Sequence, residues 1–95
     1  MIALESEQFS RELRNLASQF GATNVRVFGS YASGTATADS DLDLLVDLEP
    51  DHDLLDLIGL KQELEARLGI RVDVVTTRGL SPHLRSRLLK EARFI

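Results

Sequence analysis

Asn24-Val25-Arg26-Val27-Phe28-Gly29-Ser30, then ten residues, then Asp41-Leu42-Asp43-Leu44-Leu45-Val46-Asp47-Leu48 is the stretch whose reading decides the fold. The first run is short, β-rich and closed by Gly29; the second is longer and ends before Pro50, so both read as strands. Side chains alternate across a strand, so Asp41 and Asp43 share one face with Cα atoms roughly 6.5 Å apart. Leu42, Leu44, Val46 and Leu48 form the opposite, apolar face. One face is read as core, and the other as carrying chemistry.

Working outward, helices alternate with strands. Phe9, Leu13, Leu16, Ala17 and Phe20 recur at helical spacing and Gly21 stands as a stop, which predicts a helix over Ser6 to Phe20. Leu54, Leu57, Ile58, Leu64 and Leu68 predict a second long helix from about Asp53 to Leu68, closed by Gly69. Ile70 to Thr76 follows as a third strand carrying Asp73. Ser81-Pro82 supplies an N-cap and a first-turn proline for a last helix bearing Leu84, Leu88 and Ala92. With a short helix opening after Gly29 and ended by Gly34, the expected order is α-β-α-β-α-β-α. The 95 residues are read as one domain, 1–95, with no repeat or linker.

The chemistry lies in what the strands carry. Gly29-Ser30 follows a strand and opens a helix, where free amides hold phosphate oxygens, a glycine lets the ligand approach the main chain, and Ser30 adds a hydroxyl donor. If the strands bearing Asp41, Asp43 and Asp73 are neighbours, three carboxylates repel one another unless a cation compensates. Mg²⁺ is the expected one, because it takes oxygen ligands and keeps positions open for water and phosphate. Taken alone, Asp73 also reads as an edge-strand charge paired with Arg71 or another base.

Composition sets limits. The chain holds no cysteine, which excludes disulfides and thiolate metal sites and suits a reducing cytoplasm. No basic leader or long apolar span is evident, so no membrane association is expected. The net charge of -4 argues against direct nucleic-acid binding. The charge is also unevenly spread: Asp39 to Asp56 holds eight acidic residues and no Lys or Arg, whereas Arg71 to Ile95 is predominantly basic. His52 and His83 read as helix-start residues and Tyr31 as packing, with no His and acid arrangement around Ser30 or Ser40 for covalent catalysis.

Gly29-Ser30, the ten-residue spacer, Ser40-Asp41-Leu42-Asp43-Leu44-Leu45-Val46 and the later Asp73 together resemble the signature of the DNA polymerase beta nucleotidyltransferase superfamily. The compact length, Val72-Asp73-Val74-Val75 and the Gly79-Leu80-Ser81-Pro82 turn are similar to its minimal nucleotidyltransferase (MNT) antitoxins. The resemblance implies an α/β (α+β) fold, a small mixed sheet packed by helices on one face. It implies two Mg²⁺ ions on Asp41, Asp43 and Asp73, and ATP bound over Gly29 and Ser30. It also implies a hetero-oligomer with a HEPN-domain ribonuclease toxin, one of whose tyrosines receives AMP. The chain departs from the pattern at Ser33, where many relatives carry an Arg suited to phosphate; Arg26, Lys61 or Arg78 are the candidates to replace it. Two other classes stay open: an antitoxin that acts by binding alone, and a small-molecule nucleotidyltransferase, against which the short length argues.

Overall fold

The computed structural model describes residues 6–95; residues 1–5, read above as free of a targeting signal, lie outside them. Ser6 caps the first helix, α1 (Glu7–Gln19), its Oγ accepting from the Phe9 amide at 3.3 Å. The chain then leaves through Gly21 at φ +78°, a left-handed turn that a side chain would strain and for which the His52 ring leaves no space. After it come β1 (Ala22–Phe28), the single-turn α2 (Ser30–Ser33), β2 (Leu42–Leu48) and α3 (Leu54–Leu68). β3 (Val72–Thr76), a 3₁₀ turn at Thr77–Gly79, α4 (Pro82–Glu91) and β4 (Arg93–Phe94) complete the chain.

The sheet order is β3-β2-β1-β4. β1 runs antiparallel to both β2 and β4, whereas β2 and β3 are parallel and joined through α3, so the sheet is mixed. Val25 and Val27 of β1, Leu42, Leu44 and Val46 of β2 and Val72 of β3 bury one face in a cluster with Leu13, Leu16 and Ala17 of α1 and Leu57, Leu60 and Leu64 of α3. At about 25 cal/mol per Å² of apolar surface, burial of this face is the main force holding the sheet to its helices.

Three features depart from the expected elements, one being β3, which begins at Val72 rather than Ile70. The last helix stops at Glu91, and Arg93–Phe94 forms a fourth strand whose neighbour Ile95 donates its amide to the Val25 carbonyl at 3.1 Å. Two residues are too few to show a strand period. β1 begins at Ala22 rather than Asn24, because its register with β2 shifts between Thr23 and Arg26 where Asn24 takes φ +50°. Asparagine tolerates that conformation better than most residues, and its amide donates to Asp47 Oδ2 at 2.7 Å.

Candidate active site

Gly29 stands at the end of β1 with φ +71° and ψ -148°, a combination open essentially to glycine. A Cβ there would lie 2.5 Å from Asp43 Oδ2, so the missing side chain is what lets the turn sit against that carboxylate. Gly29 O accepts from the amides of Ala32 and Ser33, both at 3.1 Å, which leaves the Ser30 and Tyr31 amides ahead of the first intrahelical bonds. Gly34 ends α2 in the left-handed conformation, as its place in the sequence suggests. Tyr31 is buried in the core, which is a packing role.

Asp43 is the second residue of β2 and pairs in register with Phe28 on one side and Asp73 on the other. Partial burial, then the charges of Asp73 and Asp41, then a hydrogen bond shared with Asp73, raise the Asp43 carboxyl above its ordinary value. Asp41 lies just before β2, positioned by a turn in which Ser40 Oγ accepts from the Thr37 amide at 2.8 Å. Its Oδ1 meets Arg71 Nε at 3.0 Å, and Asp73 Oδ1 meets Lys61 Nζ at 3.7 Å. Asp73 does lie on an edge strand, yet its cation comes from α3, while Arg71 serves Asp41.

The positions carrying the three carboxylates therefore come together at one end of the sheet, beside the Gly29 turn. They supply only oxygen donors, and the repulsion carried by Asp43 suits a hard divalent cation. Among the described residues, no three acidic or histidine side chains stand together at metal-ligand spacing. Asp41 is turned to Arg71 and Asp73 to Lys61, so two of the three carboxylates are paired with protein cations.

Of the cations considered as replacements for an arginine at Ser33, only Lys61 pairs with one of these carboxylates. Arg26 stacks over Phe94 at 4.6 Å and faces Asp47 Oδ2 at 3.9 Å, and the charge of Arg78 also acts on Asp47. Ser33 is exposed, its Oγ donating to Ser30 O at 3.2 Å and lying 2.8 Å from Thr35 Oγ1. The face bearing Asp43 is not polar throughout: Leu45, two residues on, is fully buried although it lies outside the main cluster. A cleft of about 390 Å³, lined by Asp47, Glu49, His52 and Arg78 among others, opens at the far end of β2 from these carboxylates. His52 there pairs with Asp56 at 3.1 Å and packs on Gly21, a structural role.

The model of the nucleotidyltransferase domain matches residues 6–95. The chain belongs to this nucleotidyltransferase family. It is 42% identical over 82 residues to protein adenylyltransferase MntA of Thermococcus cleftensis, covering 86% of this chain and 83% of that protein. A solved structure described as a minimal nucleotidyltransferase superposes with a TM-score of 0.84 at 49% identity, covering 93% of this chain and 90% of the other. A solved toxin-antitoxin with AMP-PNP superposes with a TM-score of 0.77 at 25% identity, covering 90% and 70%. The mixed sheet with its two long helices on one face is thus the nucleotidyltransferase fold.

Within this nucleotidyltransferase, the pairing of Arg71 with Asp41 is the contact of the site that sequence reasoning missed. Its only signal was its position immediately before β3, beside the start of β2, where Leu42 N bonds Arg71 O at 2.9 Å.

Proposed function

We propose that this nucleotidyltransferase is the antitoxin of a toxin-antitoxin pair and transfers AMP from ATP to a tyrosine hydroxyl of its partner, a HEPN-domain ribonuclease toxin, thereby neutralising it. The observation that carries the reading is Asp43 facing Asp73 across β2 and β3 with Gly29 against the Asp43 carboxylate. Kinship with an adenylyltransferase and with a toxin-antitoxin structure holding an ATP analogue supports the substrate and the partner.

In this reading the Ser30 and Tyr31 amides and the Ser30 hydroxyl hold phosphate oxygens. Asp41, Asp43 and Asp73 would hold Mg²⁺, which would supply charge neutralisation at the phosphates. Asp73 takes the proton of the acceptor hydroxyl as the O–Pα bond forms and the bond from Pα to the bridging oxygen breaks, releasing pyrophosphate. The exposed position of Asp73 on an edge strand suits an acceptor brought by another protein.

The test is transfer of label from α-phosphate-labelled ATP, with Mg²⁺, to the protein that co-purifies from the native host. Label lost on Asp41→Asn/Asp43→Asn supports the reading. A stable complex that carries no label sinks it in favour of an antitoxin that acts by binding alone, a role that Ser33 and the paired carboxylates would then explain.

A further inference from the structure

Leu54, Leu55 and Ile58, on the first two turns of α3, are 68%, 74% and 42% exposed. They are not a disordered edge: Asp53 caps the helix, its Oδ1 accepting from the Leu55 amide at 2.9 Å, while Asp56 Oδ2 accepts from the Asp53 amide at 3.0 Å. The opposite side of the same helix buries Leu57, Leu60 and Leu64. A rigid helix start thus presents large apolar side chains to solvent, next to Glu49, Asp51, Asp53 and Asp56. No Lys or Arg occurs between Arg26 and Lys61.

That rim selects the occupant. A symmetric contact with a second copy would set two acidic rims against each other, and like charges juxtaposed at an interface are strongly unfavourable. Nucleic acid and anionic lipid are disfavoured by the same carboxylates. The complementary surface is an apolar protein patch edged by Lys and Arg.

We propose that Leu54, Leu55 and Ile58 form a docking surface for the partner protein, which meets them with an apolar patch rimmed by basic side chains; this rests on the partner-modifying reading above. The surface begins at the far end of β2 from the carboxylates, and Ile58 stands one turn of α3 before Lys61, whose Nζ is 3.7 Å from Asp73 Oδ1. β2 runs from Asp43 to Leu48 over roughly 17 Å at the usual rise, and α3 starts beyond Leu48. A partner docked along α3 from Leu54 to Ile58 is thus led toward Asp73.

The experiment compares the full chain with Leu54→Asp/Leu55→Asp, both exposed positions, using the partner purified from the native complex. Complex affinity, the KM and kcat of labelling, ATP affinity and thermal unfolding are measured on both. The expected result is a loss of complex affinity and a rise in KM for the partner of about tenfold or more, with kcat, ATP affinity and unfolding temperature kept. Complex affinity and KM that do not change overturn the proposal, as does a variant whose only altered property is self-association, which would make a second copy the occupant. A fall in ATP affinity in parallel also overturns it, because a structural role would then suffice. If wild-type chain binds the partner through this patch without labelling it, the transferase reading fails while the docking surface stands.

Discussion

Asp43 and Asp73 are direct register partners in the parallel pair β2–β3, two carboxylates side by side on adjacent strands. Partial burial, reinforced by their mutual repulsion, is why the Asp43 carboxyl titrates above its ordinary range. A raised acid favours the fold below its unfolded value of about 3.9, and that contribution is lost as pH rises through the folded value. Metal-free protein should therefore lose stability in that window, and Asp43→Asn should abolish the loss. The expected outcome is a higher unfolding temperature for the variant at neutral pH without Mg²⁺. Transferase activity should fall on the order of a thousandfold or more. Thermal scans against pH, with and without Mg²⁺, check it.

Gly29→Ala places a methyl group against the same carboxylate. The backbone at φ +71° costs about 1–3 kcal/mol for a residue with a side chain, and the Asp43 side chain must also move. Urea unfolding should show that loss of stability. ATP affinity should drop with it, since the turn and the carboxylate shift together.

Arg71 and Asp41 form an exposed pair, the Arg71 side chain being 79% accessible. Such pairs contribute at most about 1 kcal/mol, so Arg71→Ala should leave stability almost unchanged. It should nevertheless tighten Mg²⁺ binding measured calorimetrically without nucleotide, because a competing cation is removed from the Asp41 carboxylate. Weaker Mg²⁺ binding in this variant would count against Asp41 as a ligand.

Much of this was legible because local signals agreed with the final packing. Leu42, Leu44, Val46 and Leu48 are apolar at every second position and Pro50 follows, so the expected ends match β2, and Gly69 closes α3 in the left-handed conformation its position suggests. Gly29, Ser30, Asp41, Asp43 and Asp73 were singled out from spacing, and the fold gathers the elements that carry them. Where pairing is long-range, sequence was silent. β4 exists only because Arg93 and Phe94 find β1, and the shift at Asn24 depends on Asp47, 23 positions away. The partners of Asp41 and Asp73 follow from how β3 and α3 dock, which no periodicity encodes.

Asp47 is the hub of the far end of the sheet. Burial alone would raise its carboxyl, but the Thr77 hydroxyl at 2.7 Å, the Asn24 amide, and the Arg26 and Arg78 charges hold it below the usual range. A lowered acid stabilises above its unfolded value of about 3.9 and loses that contribution as pH falls through the folded value. Asp47→Ala should cost about 1–2 kcal/mol at pH 7, from two lost hydrogen bonds, and it leaves Arg26, whose buried Nη1 already lacks a partner, without its anion. Denaturant unfolding of variant and wild type should converge as the solution is acidified below about pH 4. The site lies at the other end of β2, so ATP affinity of the folded variant should be retained.

Asp73→Asn separates binding from proton transfer. Asp73 is the most exposed of the three carboxylates by its place on the edge strand, and Lys61 Nζ is its only cation partner in the described residues. If it accepts the acceptor proton, its amide counterpart should retain most ATP affinity, since the Gly29–Ser30 turn and the other two carboxylates are untouched. Transfer should fall roughly a hundredfold or more, the usual contribution of a positioned base. Single-turnover labelling with ATP saturating isolates that step from partner binding. Equal losses in ATP affinity and in transfer would instead make Asp73 chiefly a binding ligand, and the base would then have to be sought in the acceptor protein.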